Sequence, residues 1–214
     1  NFKLPDGQFA DQGTVVFNVE GPSHILLQAE RLVLNAMQRM SGITTKTRSY
    51  VDCLKGTKTR LLDTRKTTPG IRALEKWAVR LGGGVNHRFA LYDAIMLKDN
   101  HIDFCGGIDH AILATKKYIQ NHDLNLPVII EARNFEEIEV ICRYDFVTRI
   151  LIDNFSINDT KKALDIIGTH CETESSGMIN LKNIREYALC GVDYVSCGAI
   201  THSVNNLDLS LKAL

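Results

Sequence analysis

From about residue 58 onward the chain repeats one pattern: a short β-rich run, a polar or charged residue at its end, then a longer stretch of helical periodicity. The pattern predicts strands over 59–62, 94–97, 128–130, 150–152, 169–173 and 194–196. Helices are expected over 71–81, 108–120, 135–143, 157–167 and 181–189. Strands that alternate with helices need crossover connections, so six such units predict a parallel sheet with helices outside it. The intervals Glu131 to Asp153, Asp153 to Ser176 and Ser176 to Gly198 are 22, 23 and 22 residues. So short and even a period favours a βα barrel, with a doubly wound sheet as the alternative.

The segment before residue 58 reads differently. Residues 1–22 carry a Pro-Asp-Gly turn, the alternating run Thr14-Val15-Val16-Phe17-Asn18-Val19-Glu20 and Gly21-Pro22, which together predict a hairpin or small-sheet fragment. A strand pair of that size does not stand alone. A helix is expected over 23–41, with Leu27, Leu34, Met37 and Met40 on its apolar side and Gly42 as its end. The chain opens on Asn1 with neither an initiator Met nor an apolar leader, so further residues of the fold are expected to precede it.

Charge narrows the function classes. Lys plus Arg and Asp plus Glu number 25 each in 214 residues, and the sequence pI is near 7.2. That balance argues against a broad basic face for nucleic acid, whose domains usually have a pI above ~9. No apolar run approaches the ~18 residues of a membrane span. The balance is a sum of unequal parts: residues 55–98 hold ten cations and three anions, residues 99–214 ten and seventeen. Six cysteines at irregular spacing, without C-x-x-C or a zinc-type Cys/His pair, read as buried reduced thiols of a cytoplasmic protein.

The strand ends carry the candidate chemistry, because in βα barrels the C-terminal ends of the strands form the active-site rim. Arg65-Lys66, His87-Arg88 and Lys98, with Arg31 on the earlier helix, predict a polyanionic substrate; taken singly, each is also an ordinary solvated cation. Lys98 follows the apolar run Ala94-Ile95-Met96-Leu97 and so sits at a core boundary. Glu131 and Asp153 close neighbouring strands and suit either Mg²⁺ held largely through water, the hydroxyls of a ribose, or a glycosidase-type acid–base pair. Ser176-Gly177 and Gly198 suit a phosphate held by backbone N–H groups, or simple glycine turns. Gly82-Gly83-Gly84 lacks the spacing of either common nucleotide-binding glycine loop.

Taken together, the motifs Glu30-Arg31-Leu32-Val33-Leu34-Asn35, Ser41-Gly42-Ile43-Thr44-Thr45, Asp63-Thr64-Arg65-Lys66-Thr67-Thr68-Pro69-Gly70, Gly82-Gly83-Gly84-Val85-Asn86-His87-Arg88 and Leu97-Lys98-Asp99-Asn100-His101 closely resemble the quinolinate phosphoribosyltransferase family. Leu151-Ile152-Asp153-Asn154-Phe155, Glu174-Ser175-Ser176-Gly177 and Cys197-Gly198-Ala199-Ile200-Thr201-His202-Ser203 continue the match in the family's order, over nearly the whole chain.

The resemblance implies an α/β fold: an incomplete, open six-stranded α/β barrel over 34–203, plus part of an N-terminal α/β sandwich over 1–33, which 204–214 rejoin. It implies transfer of phosphoribosyl from phosphoribosyl pyrophosphate to quinolinate with decarboxylation. Arg65, His87, Arg88 and Lys98 would hold the quinolinate carboxylates, and Arg31 would reach in from the partner of a homodimer, or of one dimer within a hexamer. Thr64 and Lys66 would lie near substrate and the leaving pyrophosphate, Glu131 and Asp153 near the ribose and Mg²⁺. Ser176, Gly177, Met178 and Gly198 would take the 5′-phosphate. The family usually has Gly where this chain has Met178 and Ala90, which puts the phosphate loop in question if position 178 needs a positive φ. The competing readings are the same chemistry on another substrate and a non-catalytic sugar-phosphate sensor.

Overall fold

The structure is a computed structural model that describes residues 1–213; Leu214, the last residue of the 204–214 segment, lies outside the described residues. Six strands, β1 (Arg60–Leu62), β2 (Ile95–Leu97), β3 (Val128–Ala132), β4 (Arg149–Asp153), β5 (Glu172–Ser176) and β6 (Tyr194–Ser196), form one all-parallel sheet. Its order, β1-β6-β5-β4-β3-β2, is that of a barrel in which the first two strands do not pair. Val85 lies along the free side of β1: its N–H donates to the Leu61 carbonyl at 2.8 Å and its carbonyl accepts from Asp63 N–H at 3.1 Å.

Among the described residues eight helices connect or flank the strands: α1 (Ser23–Cys53), α2 (Arg72–Leu81), α3 (Asp99–Phe104), α4 (Ile108–Asn121), α5 (Phe135–Ile141), α6 (Ile157–Ile167), α7 (Ile184–Leu189) and α8 (Ala199–His202). Asn134 and Ser156 cap α5 and α6 by accepting backbone N–H bonds from Glu137 and Asp159. Registered partners in a parallel sheet point to the same face, so the strands have two distinct sides. Val128, Ile130, Ala132, Ile150 and Ile152 pack beneath helix residues such as Ile112, Ile138 and Ala163. On the opposite side only a small apolar group, Ala94, Ile129, Leu151 and Met96, fills the barrel, and the remainder is polar.

That polarity explains the one displaced strand. The β-branched content predicts 169–173, but β5 is Glu172–Ser176, whose barrel-facing residues are ionic. Arg149 of β4 donates to Glu172 Oε2 at 2.8 Å and to Glu174 Oε2 at 3.1 Å, and its guanidinium stacks 4.0 Å from the Tyr194 ring centroid on β6. Cross-strand charge pairs replace the apolar contacts that a propensity argument looks for.

Two further expectations are corrected. Residues 1–22 form no strand; they close a loop with a single antiparallel bridge, Phe2 to Phe17, because no neighbouring sheet buries the alternating run. Gly42 does not end α1, which runs 31 residues, about 46 Å at ~1.5 Å per residue. Instead it lets the returning chain cross the helix: a Cβ there would lie 2.3 Å from the Asn205 carbonyl oxygen and 2.9 Å from Val204 Cγ1. Leu207 N–H donates to the Gln38 carbonyl, and Gln38 Nε2 to the Leu209 carbonyl, so residues 204–209 run along α1.

The cysteines are free, but Cys197 alone is buried; four are half-buried and Cys105 is exposed. Among the described residues no helix is long and apolar enough to cross a membrane.

Gly42→Ala is expected to lower stability by about 1–3 kcal/mol, as forced overpacking does. Denaturant midpoints check the loss, and faster hydrogen exchange over 204–209 than in β3 or β4 locates it.

Candidate active site

The polar rim is built outward from Asp63, which follows β1 and is fully buried. Its Oδ1 accepts from Lys76 Nζ of α2 at 2.7 Å and from the His87 N–H at 2.7 Å; its Oδ2 accepts from Asn86 Nδ2 at 2.8 Å. Lys76 Nζ also donates to the His87 carbonyl at 2.9 Å. One carboxylate and one ammonium thereby fix the turn that presents His87 and Arg88. Asp63 lies within the quoted strand-end motif Asp63-Thr64-Arg65-Lys66 but is given no role of its own there, and Lys76, on an amphipathic helix, carries no signal in the sequence.

His87 is 9% exposed, and its ring nitrogens face the protein. Nδ1 accepts the Arg88 N–H at 2.7 Å, which places the proton on Nε2, directed at Glu174 Oε2 3.4 Å away. That distance is long for a hydrogen bond, so the contact is an electrostatic one. Besides the substrate contact expected of it, His87 has a structural task here: the ring steadies Arg88 from below. Burial pushes the fully enclosed Glu174 carboxyl up, but His87, Arg149 and Ser196 outweigh it and hold the group below the ordinary carboxylate range.

Arg88 donates to the Ala94 carbonyl at 3.2 Å. Burial and the neighbouring Arg65 guanidinium pull its pKa down, with Asp93 opposing. Two guanidiniums side by side repel unless an anion lies between them. Arg65 and Lys66 are exposed, while the ion pairs of this rim are Lys76–Asp63 and Lys98–Glu131, the latter at 2.9 Å. Thr64 Oγ1 accepts the Lys66 N–H at 3.0 Å and tightens the turn between them. Arg31 stands apart on α1: its side chain is 77% exposed and pairs with Glu30 at 3.9 Å.

Glu131 is registered with Leu151, and Asp153 lies two residues further along β4, so both carboxylates share the barrel-facing side. Asp153 is registered with Ser176, which places the β5 end beside it. Asp153 Oδ2 accepts from Asn154 Nδ2 at 2.6 Å.

The loop after β5 has, at Met178, the positive φ on which the phosphate contact turns. Gly177 has φ +93°, and a Cβ there would lie 2.1 Å from Asn154 Oδ1. Met178 also has a positive φ, +50°, a conformation that costs a side-chain-bearing residue roughly 1–2 kcal/mol. Asn180 Nδ2 and Asn183 Nδ2 both donate to the Met178 carbonyl, at 3.0 and 3.2 Å, and hold the turn in place without glycine. Gly198, by contrast, has an ordinary helical φ of −70°. A side-chain carbon on it would lie 3.1 Å from Lys66 Cδ and 3.0 Å from His202 Cδ2, so Lys66 and His202 flank the start of α8. His202, overlooked as a candidate, lies within a motif already quoted for the resemblance.

Comparison with known proteins gives a consistent result. Residues 43–212 match the family model described as the C-terminal domain of quinolinate phosphoribosyl transferase, and residues 1–41 match the N-terminal domain model. A Nicotiana tabacum quinolinate phosphoribosyltransferase (decarboxylating) is 39% identical over 225 aligned positions, covering 99% of this chain and 64% of the relative; the chain thus spans less than two thirds of that protein. A probable nicotinate-nucleotide pyrophosphorylase (carboxylating) of Bacillus subtilis is 43% identical, with 96% and 70% covered. Among solved structures, NadC from Streptococcus pyogenes superposes with a TM-score of 0.92 at 38% identity, over 99% of this chain and 73% of that one. The nicotinate-nucleotide pyrophosphorylase of Ehrlichia chaffeensis gives 0.89 at 40%, with 97% and 74% covered.

Two outcomes are expected from the site's geometry. Met178→Val, which puts a β-branched side chain at a positive φ, costs about 1 kcal/mol or more beyond the present strain, read as a lower denaturant midpoint. Glu174 has a folded pKa below its unfolded one, so its stabilisation is present above the ordinary value of about 4.3 and lost as pH falls through the folded value. Glu174→Gln is therefore expected to lose about 1–3 kcal/mol at pH 7, and thermal melts should show that gap narrowing below about pH 4.

Proposed function

The chain belongs to the quinolinate phosphoribosyltransferase family, and on that premise we propose that it transfers phosphoribosyl from phosphoribosyl pyrophosphate to quinolinate, releasing pyrophosphate and CO₂ and forming nicotinate mononucleotide for NAD synthesis. The observation that carries this reading is the grouping on one rim of Arg65, Lys66, Arg88 and Lys98 with the carboxylates of Glu131 and Asp153. Such a rim suits a dicarboxylate, a ribose and a pyrophosphate at once.

In this reading Arg65, Arg88 and Lys98 hold the two carboxylates of quinolinate, with Thr64 beside them and His87 steadying Arg88. The pyridine nitrogen attacks ribose C1 as the bond to pyrophosphate breaks, and Lys66 meets the charge growing on the leaving group. The positive charge now on the nitrogen stabilises the electron pair left on the neighbouring ring carbon as its carboxylate departs as CO₂, and that carbon then takes a proton from solvent. Positioning and fixed positive charge account for most of the rate. Ser176, the backbone of Gly177 and Met178, and Gly198 take the 5′-phosphate, with Lys66 and His202 beside it.

Glu131 and Asp153 offer hard oxygen donors on one face, and among the described residues no group of three or more side chains could hold a metal ion. Such a pair fits Mg²⁺ kept mostly by water and substrate phosphates; when bound, the ion would neutralise charge on the leaving pyrophosphate.

Arg31 is assigned to the neighbouring site of a homodimer. It lies on the half of α1 that also exposes Ile25, Leu27, Leu32 and Val33, an apolar surface suited to burial against a second chain. Hexamers assembled from such dimers are compatible with this assignment. The six free cysteines suit a reducing compartment such as the cytoplasm.

The test is turnover. The protein with quinolinate, phosphoribosyl pyrophosphate and Mg²⁺ is expected to form nicotinate mononucleotide and CO₂, and no product from a folded preparation overturns the reading. Lys66→Ala is expected to lower kcat/KM by about a hundredfold. Mixing inactive Arg31→Ala and Lys66→Ala proteins should restore part of the activity once subunits exchange.

A further inference from the structure

The segment that carries Arg65 and Lys66 has no regular secondary structure, yet both of its ends are tied to buried charge. Glu75 of α2 has a fully enclosed side chain and pairs with Arg39 of α1, whose Nε and one terminal nitrogen donate to Oε1 at 2.9 and 2.8 Å. That carboxylate also accepts from the loop: Thr68 N–H donates to Oε2 at 3.1 Å and Thr68 Oγ1 to Oε1 at 2.8 Å. Arg39 reaches further, donating to the Thr201 carbonyl of α8. Thr201 Oγ1 in turn donates to the Lys66 carbonyl at 2.9 Å. The network thus closes from α1 through α2 to the loop, and through α8 back to the loop at Lys66 itself.

Neither Arg39 nor Glu75 faces the rim, and their burial is hard to account for on stability alone. A buried ion pair is a weak source of stability, because desolvation offsets most of its attraction. Its partners here are the Thr68 amide, the Thr68 hydroxyl and the Thr201 carbonyl, all backbone-defining groups beside Lys66 and the Gly198 turn. We propose that Arg39 and Glu75 are positioning residues: together they set the distance between the cationic loop at Lys66 and the start of α8, and so the spacing at which two anionic groups of one ligand are held. This rests on the reading of Lys66 and Gly198 as anion-binding groups.

Three variants of the full chain, with Arg39→Ala as a fourth that removes the guanidinium altogether, separate positioning from mere folding. Thr68→Val leaves the Arg39–Glu75 pair whole and removes only the loop hydroxyl's bonds, the one it donates to Glu75 and the long one, 3.5 Å, that it accepts from Arg39. Glu75→Gln keeps the shape but weakens the pair, and Arg39→Lys keeps the charge while losing the fork that reaches Thr201. Each is read by hydrogen exchange over 64–70, by calorimetric binding of inorganic pyrophosphate, and by turnover. The expected result is faster exchange over 64–70 but not in β3 or β4, and pyrophosphate binding weakened about tenfold or more in Glu75→Gln. Arg39→Lys should fall between wild type and Arg39→Ala. In turnover, kcat/KM for phosphoribosyl pyrophosphate should fall about ten- to a hundredfold in Glu75→Gln, with Tm lowered by no more than about 4 °C in Thr68→Val.

Unchanged exchange over 64–70 in both Glu75→Gln and Thr68→Val overturns the proposal, as does unchanged pyrophosphate binding with a lowered Tm, the signature of a purely structural pair. If wild-type protein turns over nothing while the variants still loosen the loop and weaken pyrophosphate binding, the positioning role stands and the assigned reaction fails.

Discussion

A carboxylate sealed from water must place both oxygens on donors or lose several kcal/mol, and Asp63 meets that demand with three donors, one from α2 and two from the turn at 85–88. Strand β1, helix α2 and the turn at 85–88 are locked by one side chain. The turn then lies along the open side of β1 through Val85 and delivers Arg88 to the rim. An apolar replacement of the Asp63–Lys76 pair fills the same volume but carries no direction. Only a carboxylate specifies which amide and which amino group must point at it.

Glu75 repeats the device with donors on both oxygens, and Glu174 repeats it in part: its Oε2 faces His87 and Arg149 while its Oε1 has no partner. Glu75 sits behind the exposed Arg65 and Lys66, and Glu174 behind the buried His87 that supports the half-buried Arg88. The exposed cations remain available because other buried acids hold the scaffold that carries them. This arrangement reconciles a neutral chain with a positive rim, since many of the anions are used internally.

What the sequence revealed follows the same division. The βα rhythm was legible because helices and strands here obey their periodicities; α6 and β6 fall where the pattern places them, at Ile157–Ile167 and Tyr194–Ser196. Strand β5 was misplaced because its barrel face is held by Arg149 rather than by apolar packing, and a propensity argument has no term for that. Helix α3 went unseen because its six residues open with Asp99-Asn100-His101, which read as a strand-end motif. The rim cations stood out as neighbouring charges in short motifs. Asp63, Lys76, Arg39 and Glu75 did not, because their partners are distant in sequence and meet only once the sheet has formed.

The strands thus separate two kinds of interior, apolar beneath the helices and ionic inside the barrel. The two respond differently to heating. Apolar stabilisation, weaker in the cold, levels off as temperature rises, whereas the penalty for stripping water from charged groups goes on declining. Warming therefore tightens the barrel's inner lining relative to its outer layer, and the strand ends that bear the rim are fastened to the lining.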